Sequence, residues 1–218
     1  ITLSGVTDLS QSDFAAVALN AGSTLTGTSG ADVLIGLDGA DTLNGNAGAD
    51  TISAGGGADT ITAGTGIDTI TTGAGADIVI LNQVLTANRD VITDFTTGAG
   101  GDELRFDISD LSLAGGTEYV GVIGSLAADS SDEIVVLTGA GFATDEDAET
   151  AIAGQVTTDG EDIVAVYFNT TDNTAHVIYD ADAGVDGTAT VVLVGSLTNV
   201  TSQDLLDAFT TANIGSQA

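Results

Sequence analysis

Aspartates 32, 41, 50, 59, 68 and 77 recur every nine residues, each two residues after a glycine, with no insertion or deletion between them. The blocks read GTSGADVLI, GLDGADTLN, GNAGADTIS, AGGGADTIT, AGTGIDTIT and TGAGADIVI. A nine-residue period fits neither the helical repeat of about 3.6 nor the two-residue alternation of a strand. It fits a six-residue turn followed by a three-residue strand, so that two blocks close one coil of a solenoid. The glycine ahead of each aspartate (Gly30, Gly39, Gly48, Gly57, Gly66, Gly75) suits a turn that needs positive φ or close backbone approach. The second residue after each aspartate is always aliphatic (Leu34, Leu43, Ile52, Ile61, Ile70, Val79), which is the residue a short strand points inward.

These six blocks resemble the G-G-x-G-x-D-x-U-x repeats of RTX proteins, a known solenoid class. The resemblance implies an all-β fold, a parallel β-roll with calcium ions held between turns stacked on one edge. Alternate blocks then share an edge: Asp32, Asp50 and Asp68 on one, Asp41, Asp59 and Asp77 on the other. The inward residues divide the same way, Leu34/Ile52/Ile70 into one sheet and Leu43/Ile61/Val79 into the other. The pattern departs from the family at the first glycine of the last three blocks (Ala54, Ala63, Thr72) and at the second glycine of the first three (Thr28, Leu37, Asn46). Those departures bear on individual ions, not on the architecture.

Hard-cation chemistry agrees with the implied ligand. Calcium takes six to eight oxygens, and carboxylates with backbone carbonyls in flexible loops supply them. One aspartate and its glycine-rich turn give half a coordination sphere, and the next coil gives the other half. Turn chemistry alone also favours Gly-x-Asp, but not six times in strict register.

The chain has 32 acidic residues against two arginines, Arg89 and Arg105, and no lysine, a formal net charge of −30. That balance argues against nucleic acid and anionic membrane surfaces as partners, and it favours cations. Only seven acids fall between residues 27 and 80, while 23 lie beyond residue 80. The surplus reads as a solvated surface that resists aggregation, with further metal sites as the other reading. Cysteine is absent, which excludes disulfides and thiolate metal sites. No apolar run reaches the ~18 residues of a membrane span. The chain begins at Ile1 and shows no cationic segment followed by an apolar run, which reads as a processed or trimmed piece without a Sec-type signal.

Beyond the repeats, Val91 to Phe95 and Glu103 to Phe106 read as two strands across a glycine-rich loop. They resemble the D-x-I-x-D-F…G-D-x-L segment that follows the roll in type I-secreted RTX proteins and caps its open end. Asp90 and Asp102 either finish the final calcium site or serve as turn residues. Strand-like runs follow at Glu133–Leu137, Asp162–Phe168, Ala175–Asp180 and Ala189–Val194, with an acidic helix over Asp145–Gln155 and a hairpin turn over Asn169–Asn173. The stretch Asp180 to Gly187 fails as an EF-hand, since Gly184 and Val191 stand where ligands belong. It reads as a polar hairpin loop. Ser10–Asp13 and Thr201–Asp204 each resemble a capping box opening a helix, with Phe14, Val17 and Ala18, and Leu205, Ala208 and Phe209, as buried faces. The final ~15 residues look like an uncleaved type I secretion signal, or the last helix of the fold.

The expected organisation is an N-terminal strand and helix at 1–22, the RTX β-roll at 23–81, and a β-rich capping and secretion module at 82–218. A catalyst is not expected. His176 is the sole histidine and reads as an ordinary strand residue, no G-x-S-x-G or Walker motif occurs, and carboxylate pairs are too common to single one out. The metal candidates are therefore Asp32, Asp41, Asp50, Asp59, Asp68, Asp77, Asp90 and Asp102. The resemblance extends to a calcium-dependent structural or assembly module of a type I-secreted bacterial surface protein, most like RTX-containing S-layer proteins. Calcium, other copies of the chain and the type I secretion machinery are the partners this implies, outside the cell or on its surface. The alternative is the export and folding domain of an RTX protease, lipase or adhesin.

Overall fold

The computed structural model describes residues 15–17, 22–82, 89–107, 119–121, 134–153, 161–183, 191–202, 208 and 213–217. Seven strands follow the repeats: β2 (Thr24–Thr26), β3 (Val33–Asp38), β4 (Thr42–Asn44), β5 (Thr51–Gly56), β6 (Thr60–Thr62), β7 (Thr69–Ala74) and β8 (Ile78–Leu81), preceded by β1 (Ala15–Val17). They alternate between two parallel sheets. β3, β5 and β7 pair in one with Leu34↔Ile52↔Ile70 in register, and β2, β4, β6 and β8 in the other with Leu25↔Leu43↔Ile61↔Val79. The division of inward residues expected from the period is the one observed. These side chains are all buried, and each buried Leu, Ile or Val contributes about 1.5–3 kcal/mol.

The strand lengths depart from the expected three residues mainly on one side, β8 with four residues being the one longer repeat strand of the other. β3, β5 and β7 run six residues because the turn beyond the inward residue also pairs, Leu37↔Gly55↔Gly73. On the other sheet the corresponding turns make only the bridge Ala47↔Thr65.

The solenoid continues past the repeats. β9 (Asp90–Ile92) joins β7, and β10 (Glu103–Asp107) joins β8, so the two strands expected across the glycine-rich loop lie in opposite sheets. The remaining elements are β11 (Tyr119–Gly121), β12 (Ile134–Phe142), α1 (Asp145–Ala153), β13 (Glu161–Asn169), β14 (Thr174–Ala183), β15 (Val192–Leu197) and β16 (Ile214–Gln217). The strand order is β1-β3-β5-β7-β9-β15-β14-β13-β12-β11 in the larger sheet and β16-β10-β8-β6-β4-β2 in the smaller. β13, β14 and β15 are antiparallel neighbours, with the expected hairpin turn at 170–173.

One hydrophobic core runs from Leu25 through Ile70 and Phe106 to Val166, Val177 and Ile214. A second lies across the other face of β12–β14, where Ala148 and Ile152 of α1 cover Leu137, Ile163, Tyr167 and Ile178. The helix starts where expected. Thr144 Oγ1 accepts the Asp147 N–H (3.0 Å), and Asp145, Glu146 and Asp147 fill the first turn, where negative charge favours the helix dipole.

Three expectations are corrected. Ala15–Val17 is a strand, not part of a helix, because it pairs in parallel with Val33–Ile35; Ser10–Phe14 and Ala18 lie outside the described residues. At the other end Ala208 is exposed rather than buried. Ile214–Gln217 is a strand beside β10, where Ile214 packs into the core, and not a terminal helix; Leu205 and Phe209 lie outside the described residues. Asp180–Ala183 continues β14 opposite β13 instead of looping, since antiparallel pairing extends to Glu161↔Ala183.

Candidate metal centre

Stacking coils in register places the periodic aspartates in two lines. On one, Asp32 N–H donates to Asp50 Oδ1 (2.8 Å), Asp50 N–H to Asp68 Oδ1 (2.7 Å) and Asp68 N–H to Asp90 Oδ1 (3.0 Å). On the other, Ser23 N–H donates to Asp41 Oδ1 (2.5 Å), Asp41 N–H to Asp59 Oδ1 (2.7 Å), Asp59 N–H to Asp77 Oδ1 (2.8 Å) and Asp77 N–H to Asp102 Oδ1 (3.0 Å). The glycine before the aspartate supports this in five successive blocks, Gly39, Gly48, Gly57, Gly66 and Gly75, with φ between 111° and 150°. In that region a side chain is strained.

All eight aspartates are buried, and each ladder bond uses Oδ1. The second oxygen is another matter. Oδ2 of Asp41, Asp50, Asp59, Asp68 and Asp77 is buried with no hydrogen-bond partner. A buried unpaired carboxylate oxygen is costly, and no cationic side chain offsets it: Arg105 is paired with Glu103 at 2.9 Å and Arg89 is exposed. Burial accordingly pushes the Asp68 and Asp77 carboxyls up to about 6 and Asp90 up to about 7, and raises Asp50, Asp59 and Asp102 as well.

Beside two of these oxygens, those of Asp41 and Asp50, the block opens with a glycine that keeps the space small. A β-carbon on Gly36 would lie 2.8 Å from Asp41 Oδ2 and collide with the Ala54 carbonyl. One on Gly45 would lie 2.5 Å from Asp50 Oδ2 and collide with the Ala63 carbonyl. At Asp41 and Asp50 an orphaned carboxylate oxygen and a carbonyl of the following coil thus converge on one small space, the oxygen-only donor set that a hard cation takes. Among the described residues no three acidic or histidine side chains cluster closely enough to hold a metal unaided, so backbone carbonyls must complete any shell.

Asp32 at the start of one line and Asp102 at the end of the other differ from the middle. Asp32 Oδ2 accepts hydrogen bonds from Thr28 N–H (2.6 Å) and Thr28 Oγ1 (2.9 Å). Asp102 Oδ2 accepts from Thr96 N–H (2.7 Å) and lies 3.2 Å from Thr72 Oγ1. Sequence reasoning missed Asp94, whose Oδ1 accepts from Thr72 N–H (2.8 Å) and Oγ1 (3.0 Å) and whose Oδ2 accepts from Gly73 N–H (2.9 Å). A side chain stands there in place of the next coil's backbone. It also missed Asn213, which bridges Gly98 N–H (2.9 Å) and the Asp102 carbonyl (2.7 Å). Neither follows the nine-residue period, so the period gave no signal for them.

The repeat segment matches the family model of the RTX calcium-binding nonapeptide repeat in four copies, over residues 26–61 and 53–83. This chain carries RTX calcium-binding repeats. Repeats of this kind are typical of secreted extracellular proteins, and among the described residues no helix is long and apolar enough to cross a membrane. Among curated proteins none matches the chain. Among solved structures, the solution structure of the AlgE6R3 subunit from the Azotobacter vinelandii mannuronan C5-epimerase is 21% identical, covering 88% of this chain and 78% of that one with a TM-score of 0.24.

Proposed function

We propose that this chain is a calcium-dependent structural module of a secreted bacterial surface protein, folding outside the cell as the roll takes up calcium and associating with further copies of itself. The observation that carries the reading is the set of five buried, unpartnered carboxylate oxygens in two lines. Asp41, Asp50, Asp59, Asp68 and Asp77 would hold the ions through Oδ2 with carbonyls of neighbouring coils, and Asp32, Asp90 and Asp102 would close the ends of the lines. Calcium supplies the positive charge that the stacked carboxylates lack. In a calcium-poor cytosol the same carboxylates would oppose coiling and keep the roll open for a type I exporter.

Self-association is supported by how charge is distributed. The outward side chains of β2, β4 and β6 are Thr24, Thr26, Thr42, Asn44, Thr60 and Thr62, all uncharged, and the one exposed acid between residues 22 and 82 is Asp38. On a chain of net charge −30, two copies meet at least electrostatic cost along such a face. Light scattering in millimolar calcium against sodium chloride of equal ionic strength tests this. Calcium-specific growth of the particles supports assembly. Monomers in both salts would leave the export and folding domain of an RTX protease, lipase or adhesin as the better reading, since that role needs only calcium-coupled folding.

A further inference from the structure

His176 lies on β14 as expected for a strand residue, but its ring is not idle. It is 6% exposed and sits against the second core, edge-on to Tyr167 with ring centres 5.4 Å apart. Nδ1 is 2.8 Å from Asp145 Oδ1 at the start of α1, and Nε2 is 2.8 Å from Asp172 Oδ2 in the turn between β13 and β14. A neutral imidazole carries one N–H, whereas the imidazolium carries two. With a carboxylate oxygen at hydrogen-bond distance from each nitrogen, only the doubly protonated ring satisfies both. The neutral ring turns a lone pair on one carboxylate.

We propose that His176 is a proton-operated clamp: protonated, it fastens both α1 and the 170–173 turn to the sheet, and on losing its proton it releases the turn. The surroundings decide which contact is lost. Asp145 also accepts a hydrogen bond from Tyr167 OH, which in turn takes one from Asn169 Nδ2 (3.1 Å). Asp145 feels Arg89 as well, and its side chain is one-third exposed. Asp172 is half exposed, and its other oxygen is already held by Thr174 N–H (3.1 Å) and Oγ1 (2.8 Å). Water therefore replaces the ring at Asp172 more readily than at Asp145, and the remaining proton stays on Nδ1. Tyr167 adds no charge there, because burial and Asp145 keep its phenol protonated. The two carboxylates also outweigh burial in raising the histidine above its ordinary range.

Because the chain has one histidine, its ring signals in an NMR titration need no assignment. In calcium-saturated full chain, titrated from about pH 5 to about pH 9, the expected midpoint lies above the ordinary histidine value of about 6.5. Both ring nitrogens are protonated below it, and only Nδ1 above it. Asp172→Asn should bring the midpoint back toward the ordinary value, and in the parent the hydrogen-exchange protection of the Thr171 and Thr174 amides should fall across the midpoint while that of α1 persists. A midpoint at or below the ordinary value overturns the clamp. So does a protonated Nε2 above the midpoint, or turn protection that ignores it.

Discussion

Replacing Asp68 by asparagine should change the stability of the roll in opposite directions with and without calcium. Asp68 is fully buried, its Oδ1 accepts the Asp50 N–H at 2.7 Å, and its Oδ2 has no partner. Asparagine keeps the accepting oxygen and removes the charge. In the metal-free chain the cost of that charge follows from the rise of the carboxyl from 3.8 to about 6. At about 1.4 kcal/mol per pKa unit this is about 3 kcal/mol, and the amide N–H that replaces the unpartnered Oδ2 gives back about half of it, because a buried donor without a partner costs about 1–3 kcal/mol. Asp68→Asn should therefore favour the coiled form of the chelated protein by about 1–2 kcal/mol, seen as a rise in its β-content. In calcium the sign reverses. A site at a hundredfold excess of ion over its Kd contributes about 2.7 kcal/mol, most of which goes with the ligand oxygen. Circular dichroism of parent and variant, as β-content with chelator and as unfolding in millimolar calcium, reads both effects. Equal destabilisation in the two conditions would refute the reasoning, because the carboxylate would then be held by something other than a cation.

Other outcomes follow from the same geometry. Without calcium, the carboxyls of Asp68, Asp77 and Asp90 sit at about 6, 6 and 7 in the folded chain, so the folded form binds more protons than the unfolded one. β-content of the chelated chain should be greatest below about pH 4 and decline as pH rises through about 7, and a flat profile contradicts this. Asp59→Ala should weaken calcium binding more than Asp32→Ala, because Asp32 Oδ2 is already occupied by Thr28; equal affinities by calorimetry count against it. Leu37 is exposed at φ 129°, a strain of about 1–3 kcal/mol, so Leu37→Gly should stabilise the roll by about 1 kcal/mol once glycine's backbone entropy is subtracted. A lower urea midpoint for that variant would show the strain to be absent.

The nine-residue period made the roll legible because every coil repeats one physical problem: an inward aliphatic residue, a turn at positive φ and an aspartate over the next coil. Leu34, Ile52 and Ile70 stack as the period demands. What escaped the sequence lies where the period stops. Asp94 and Asn213 act at the end of the solenoid through hydrogen bonds spanning 21 or more residues; Asp94 is the second aspartate of the D-x-I-x-D-F segment, but nothing local in that segment announces its partners. Ala15–Val17 carries helix-compatible residues, and only its pairing with β3 decides for a strand. His176 shows the same limit. Alternation placed it in β14, but its carboxylate partners come from α1 and from a turn, and they meet it only once β12–β14 are packed under the helix.

On the proposal above, cations complete the two buried lines of carboxylates and thereby hold the roll together. Amide hydrogen exchange over residues 32–79, in calcium and after chelation at neutral pH, tests it most directly. The amides of Leu34, Leu43, Ile52, Ile61 and Ile70 should be strongly protected in calcium and lose that protection on chelation, regaining it when calcium but not sodium is returned. Protection that survives chelation unchanged at neutral pH would contradict it.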